Sequence, residues 1–195
     1  DVVVLDGMQG GTAASQDVFI DHVGIPTLAC IRPAIDALID LDMKGKVQLI
    51  VSGGIRSGAD VAKVLALGAD AVSIGSAALI AIGDNDPKWE AEYKEIGTTA
   101  GAFDDWHLGN DPAGITTQDP DLMKRVDPVK AGERLANYLR VMTLEAQTIA
   151  RASGKSHLRN LEPEDLCALT VEAAAMSRVP LAGTNWIPGK DGNIN

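Results

Sequence analysis

The tightest constraint on the fold is a pattern that occurs three times: a short apolar run followed at once by a glycine turn. Val2-Val3-Val4-Leu5 is closed by Asp6-Gly7, Val47 to Val51 by Ser52-Gly53-Gly54, and Ala71 to Ile74 by Gly75-Ser76. The first run is a short β-branched stretch that suits a buried parallel strand, and the other two, each interrupted by one polar residue (Gln48 and Ser73), read as the strands that follow it. The stretches between them read as helices. From Ile25 to Leu41, Leu28, Ile31, Ile35, Leu38, Ile39 and Leu41 recur near the helical period, and Pro33 sets the start of the helix proper near itself. A second helix runs from Ala59 to Leu67 and ends at Gly68. Strand, helix, strand, helix, strand with short loops predicts an α/β fold with a parallel sheet and right-handed crossovers. A doubly wound sheet and a (β/α)8 barrel both satisfy this pattern.

The remaining chain changes character. Residues 1–82 hold the strand-helix units, 83–126 an inserted segment, 127–189 a helical extension and 190–195 a polar tail. The insertion opens on the turn Gly83-Asp84-Asn85-Asp86-Pro87, has one helix near Lys88 to Ile96, and carries Trp89, Tyr93, Phe103, Trp106 and His107. Asp127-Pro128 is an N-cap followed by proline in the first turn. Leu135, Leu139, Met142, Ala146 and Ile149 then form one stripe, and Gly154 stops the helix. Pro163 is expected to start a last helix with Leu166, Leu169, Ala173 and Met176 on one face, Cys167 lying buried and inert among them.

Charge narrows the partners. Seventeen basic residues stand against 27 acidic ones, a net charge of -10, which argues against a nucleic-acid partner. No apolar run of roughly 18 residues offers a membrane span. Two cysteines, Cys30 and Cys167, cannot build a disulfide framework, so a reducing cytoplasm is the default expectation. His22, His107 and His157 match no metal spacing. Asp84, Asp86, Asp104 and Asp105 lack the calcium-loop pattern and read as a solvated acidic loop.

Chemistry points to the glycine loops. Ser52, Gly53 and Gly54, and then Gly75 and Ser76, each follow a strand, and the two strands are consecutive. Glycine lets backbone N–H groups face a ligand without a Cβ in the way, so two such loops, followed by helix N-termini, make an anion nest suited to phosphate. The same glycines also serve tight turns, but the pair of loops with Arg56-Ser57-Gly58 behind favours phosphate. The G-x-G-x-x-G dinucleotide fingerprint is absent. The loop Asp6-Gly7-Met8-Gln9-Gly10-Gly11-Thr12 belongs to the same sheet end. Gln9, Gly10, Gly11 and Thr12 offer amides and a hydroxyl to a carboxylate or carbonyl. No catalytic base is assignable and no metal site is expected.

Four blocks carry a resemblance: Asp6-Gly-Met-Gln-Gly-Gly-Thr-Ala-Ala-Ser15, Ser52-Gly-Gly-Ile-Arg-Ser-Gly58, Ala71-Val-Ser-Ile-Gly-Ser-Ala-Ala-Leu-Ile80 and Gly114-Ile-Thr-Thr-Gln-Asp-Pro120. In this order they resemble the FMN-binding domain of the glutamate synthase family over about the first 125 residues. The later blocks Leu161-Glu-Pro-Glu-Asp-Leu166 and Pro180-Leu-Ala-Gly-Thr-Asn-Trp186 look most like the N-methylglutamate synthase branch, the methylamine–glutamate N-methyltransferases. The resemblance implies a (β/α)8 TIM barrel of which residues 1–82 are strands six to eight. It also implies an FMN phosphate held by Gly53, Gly54, Gly75 and Ser76, and a 2-oxo-acid or amino-acid substrate near Gly10-Gly11-Thr12.

Two departures from the family carry information. Glutamate synthases place three cluster cysteines before the Gly-Ile-x-Thr-Gln-Asp block, whereas residues 83–113 contain none and Asp111 stands where the last would be. No iron–sulfur cluster is therefore expected on this chain. Met8-Gln9 stands where the family usually has His-Asp, so substrate handling is expected to differ. Without a cluster, a redox-neutral exchange of the glutamate amino group for methylamine through 2-iminoglutarate fits better than net reduction. An ammonia-dependent or other glutamate synthase-like flavin oxidoreductase is the alternative, and a non-catalytic phosphate-binding subunit of a complex a third. Partners are then small molecules and other synthase subunits. Three strands cannot close a barrel. An open sheet with an unpaired apolar edge at its first strand is thus expected, along with poor solubility of the chain alone.

Overall fold

A computed structural model describes residues 1–11, 15–98 and 108–190. The chain divides into two compact units: residues 1–10, 24–73 and 142–195 form the first, and 11–23 and 74–141 the second.

The first unit is built on a parallel sheet in the order β1-β2-β3, with β1 at Val2–Asp6, β2 at Gln48–Ser52 and β3 at Ala71–Ser73. Val3 pairs with Leu49, Asp6 with Ser52, and Ser52 with Ser73. The fold is thus a mixed α/β arrangement with a small parallel sheet, as the three runs predict. The inner strand β2 buries Leu49 and Val51, on which Ile31 and Ile35 complete a core. The edge strand β1 has the more apolar sequence, yet Val2, Val3 and Val4 are about half exposed. The expected open apolar edge is therefore present.

Two expectations about helices are corrected. The helix α2 runs Thr27–Asp40 and passes straight through Pro33 instead of starting near it. Proline costs the helix one N–H donor, but the start is fixed elsewhere: Pro26 occupies the N-cap and the Gln9 side chain reaches the first turn. Likewise Pro163–Asp165 is only a 3₁₀ turn, and the last helix, α8, is Val171–Ser177. Thr170 caps it by accepting from the Ala173 N–H, so Leu166 and Leu169 lie before the helix, and Leu169 is 84% exposed. Cys167 is exposed rather than buried. α8 packs on α2, where Arg178 pairs with Asp36.

Helix α3, Gly58–Ala66, follows the β2 glycine loop. The long helix α7, Pro128–Ala152, starts after Asp127, which accepts from the Val129 and Lys130 N–H groups. Its C-terminal half belongs to the first unit. There Ala146 and Ala150 pack with Ala62, Ala66 and Leu161 into a second small core. The expected stripe holds at Met142 and Ala146, while Leu139 stays 42% exposed.

The second unit contains α1 (Asp17–His22), α4 (Ser76–Ile82), α5 (Glu90–Glu95), α6 (Pro120–Met123) and the first part of α7. The expected insertion helix is present as a 3₁₀ turn at Pro87–Trp89 continued by α5. Among the described residues no helix is long and apolar enough to cross a membrane.

Candidate functional site

In the first unit the loops after β1 and β2 are built into each other around one threonine. The Gly7 N–H donates to the Ser52 carbonyl (3.1 Å), the Met8 N–H to Ile25 O (2.9 Å) and the Gly10 N–H to Gly7 O (2.8 Å). Thr27, the first residue of α2, lies beneath them. Its N–H and its hydroxyl both donate to Gln9 Oε1, at 2.8 and 2.9 Å. Gln9 thus does the work of the missing side-chain N-cap of α2, which commits its amide oxygen.

The glycines are demanded by close approach. A Cβ on Gly53 would lie 2.6 Å from Thr27 Oγ1 and 3.0 Å from Gly10 N, and one on Gly7 would collide with Thr27. Gly53 and Gly54 also have φ of 106° and 77°, a region L-residues avoid. The N–H groups of Gly53, Gly54 and Ile55 donate to no acceptor among the described residues. The glycines are thus spent on the close approach of the two loops, and the three free backbone donors are of the kind that suits a phosphate.

The helix behind the loop does not add to it. Asp60 accepts from the Arg56 and Ser57 N–H groups at 3.0 Å, Ser57 Oγ accepts from the Asp60 N–H, and Glu145 of α7 accepts from the Gly58 N–H at 2.7 Å. The start of α3 is occupied by two carboxylates, so the expected contribution of this helix N-terminus to an anion nest is corrected. Glu145 can come so close because a Cβ on Gly58 would run into the Met142 carbonyl and Ala146 N. No local sequence signal reveals this contact, since its partners are 87 residues apart.

Ser52, Gln9, Gly10, Gly53 and Gly54 are thus brought together. Gly11, Gly75 and Ser76 belong to the second unit. There Gly75 is the N-cap of α4, has open space at its Cα, and is followed by Ser76 and Ala77 N–H groups that have no acceptor among the described residues. Thr12 lies outside the described residues.

The second unit holds a centre that sequence patterns did not single out as such. Asp111 is 1% exposed. Its carboxylate accepts from the Tyr93 hydroxyl (2.7 Å), from the Ala113, Ile115 and Thr116 N–H groups (3.0, 2.8 and 2.8 Å) and from Thr116 Oγ1 (3.1 Å). Burial alone would push this carboxyl up, but the donors outweigh it, so its pKa lies below the ordinary value. Tyr93 is raised above its usual range by burial and by its bond to Asp111. Asp84 is buried too, which corrects the expectation of a solvated acidic loop for this residue; Asp104 and Asp105 lie outside the described residues. Burial, and then the Asp111 charge, push its carboxyl up to about 6. Among the described residues no group of His, Cys, Asp and Glu is arranged to hold a metal ion.

A family model described as "Conserved region in glutamate synthase" matches residues 1–88 and 97–156. The chain belongs to the glutamate synthase family. It is 81% identical over 190 residues to a "Glutamate synthase large subunit-like protein" of Rhizobium meliloti (strain 1021), covering 97% of this chain and 43% of that one. It is 38% identical over 161 residues to an "Archaeal glutamate synthase [NADPH]" of Methanocaldococcus jannaschii, covering 83% of this chain and 28% of the relative. A "Glutamate synthase large subunit-like protein YerD" of Bacillus subtilis is 28% identical over 155 residues, 79% of this chain and 26% of that protein. The chain spans less than half the length of these glutamate synthase relatives. The matched family region contains both glycine loops, whereas residues 89–96, which include Tyr93, fall in the gap of the match.

Proposed function

We propose that this chain is part of an FMN-dependent glutamate synthase-type enzyme that acts on glutamate or 2-oxoglutarate and an amine. The observation that carries the reading is the Ser52–Ile55 loop, with its two left-handed glycines and three free N–H groups at the end of an inner parallel strand. In this reading the N–H groups of Gly53, Gly54 and Ile55 hold the FMN phosphate. Gly75 and Ser76 are assigned to it on their position in the family block Ala71–Ile80. Gln9 Nε2, with Gly10, Gly11 and Thr12, is assigned to the substrate carboxylate. The strands β1 to β3 are read as the last three of a (β/α)8 barrel, which accords with their parallel order and with the uncovered apolar edge of β1.

FMN, when bound, supplies reversible acceptance of a hydride. The chain's own residues position the phosphate and the substrate. The iron–sulfur cluster that the family implies does not fit residues 83–113. That segment has no cysteine, and the Asp111 carboxylate already accepts five hydrogen bonds from its own surroundings. With no cluster to receive outside electrons there, the favoured reaction is redox-neutral. Glutamate loses a hydride and a proton to give 2-iminoglutarate, methylamine displaces ammonia, and the hydride and proton return to give N-methylglutamate. The second reading, reductive synthesis of glutamate from 2-oxoglutarate, draws on the likeness to the archaeal relative named for NADPH. Anaerobic glutamate added alone to the full-length flavoprotein should bleach the band near about 450 nm. Bleaching by NADPH but not by glutamate would favour the second reading over the first.

A further inference from the structure

The second unit contains a cavity of about 280 Å3 that the cofactor reading does not use. In a chain of net charge -10, its lining gathers four cations, Lys88, Arg125, Lys130 and Arg134. Lys88 Nζ lies 4.6 Å and the Arg125 guanidinium carbon 4.8 Å from the centre of the Trp89 ring, which holds both by cation–π attraction. Arg125 is also fixed by bonds to the Pro112 carbonyl (2.8 Å) and Glu92 (2.7 Å). Lys130 and Arg134 are one turn apart on α7 and so share a face.

The two acids of the lining offset its two lysines but not its arginines. Asp86 pairs with Lys88 at 3.6 Å and Asp127 with Lys130 at 3.5 Å, both loose ion pairs. Each acid already spends an oxygen on a helix start: Asp86 accepts from the Lys88 N–H, and Asp127 from the Val129 and Lys130 N–H groups. Arg134 has no hydrogen bond or ion pair among the described residues; its Nη1 lies over Gly83, whose Cβ, if present, would be 3.0 Å away. With Glu92 paired to Arg125, Asp86 to Lys88 and Asp127 to Lys130, Arg134 is the cation of the lining left without a counter-charge among the described residues, a surplus of one positive charge. The volume falls below the roughly 300–1,000 Å3 of drug-sized sites.

We propose that this cavity binds a small multivalent oxyanion, a di- or tricarboxylate or a phosphate, with Arg134 as its principal contact. An arginine fork matches such groups in a bidentate manner, with Lys130 and Lys88 adding charge from the same lining. The inference is independent of the cofactor reading, because no residue of the glycine loops takes part.

The test is calorimetric titration of the full-length protein, saturated with FMN, with citrate and separately with inorganic phosphate. At low salt one or both should bind with a Kd below about 1 mM, weakening as sodium chloride is added. Tighter citrate binding identifies a carboxylate site, and tighter phosphate binding a phosphate site. Arg134→Gln should weaken binding by at least about tenfold, since a charged hydrogen-bond pair is lost. Lys130→Gln should weaken it by a smaller factor and serves as the second variant if Arg134→Gln lowers the melting temperature. Lys124→Gln, on an exposed lysine paired with Asp121 outside the cavity, should leave binding unchanged. Absence of binding by either anion below about 10 mM overturns the proposal. So does wild-type affinity in both cavity variants, or an equal loss in Lys124→Gln.

Discussion

The glycine loops of the first unit and the Asp111 loop of the second solve the same problem by opposite means. Both must hold irregular backbone in a fixed shape. Around Thr27 this is done by removing side chains: Gly7, Gly10, Gly53 and Gly54 let two chain segments touch, and donors at Gly53, Gly54 and Ile55 stay unspent. Around Asp111 it is done by adding a charge: one buried carboxylate collects five donors and leaves none over. A loop shaped by absence keeps free N–H groups for a ligand, whereas a loop shaped by a central acceptor uses them up. On the function proposed above, the first serves binding, while the second serves to stay folded.

The largest effect is expected from removing that acceptor. Asp111→Ala takes the acceptor from the Ala113, Ile115 and Thr116 N–H groups and from the Tyr93 hydroxyl, which keeps a longer bond to the Asp84 carbonyl. It should cost roughly 3–5 kcal/mol in urea unfolding. A cost below about 1 kcal/mol would mean that the loop holds itself without the charge. Next comes Gly58→Ala, whose Cβ runs into the Met142 carbonyl and Ala146 N of α7. Overpacking there should cost about 1–3 kcal/mol, read from the same unfolding curves.

The pH dependence sharpens the contrast further. The Asp84 carboxyl is raised to about 6 in the fold, above its value of about 3.9 in an unfolded chain. Protonation therefore favours the folded state. The stabilising share is fully present below pH of about 4 and is lost as pH rises through about 6. Asp111 acts with the opposite sign: its lowered pKa stabilises the fold above about pH 4, and that share fades on stronger acidification. Thermal stability should thus increase from pH 7 to pH 5, and Asp84→Asn should be more stable than wild type at pH 7 by about 1–2 kcal/mol, with a flatter profile. The smallest effect is expected at Glu145. Replacing it with Gln keeps an acceptor for the Gly58 N–H but loses the charge, a cost of about 0.5–1 kcal/mol by chemical denaturation.

The two regions also differed in what the sequence made visible. Strand runs closed by glycines, and Asp127-Pro128 ahead of a long stripe, are local signals, and the structure follows them at β1 to β3, α3 and α7. The glycine blocks were legible for the same reason, because positive φ and close approach demand a residue type. Where local signals failed, a distant group had taken over. Gln9 caps α2 from another loop and so overrides Pro33 as the start signal, and Thr170 recruits the chain into α8 seven residues after Pro163. Glu145 at the start of α3 and Tyr93 on Asp111 were invisible because each contact joins elements far apart in sequence, and a lone acid in a polar stretch reads as solvated.

The division of labour between the two loops is tested most directly by measuring FMN affinity and melting temperature together on full-length Gly53→Ala and Asp111→Asn. Gly53→Ala should weaken FMN binding by at least about tenfold, because its Cβ meets Thr27 Oγ1 and displaces the backbone that the proposed function assigns to the phosphate. Asp111→Asn should lower the melting temperature by several degrees, about 4 °C or more, yet bind FMN with wild-type affinity when folded. Unchanged FMN affinity in Gly53→Ala, or loss of FMN from a folded Asp111→Asn protein, would contradict the account.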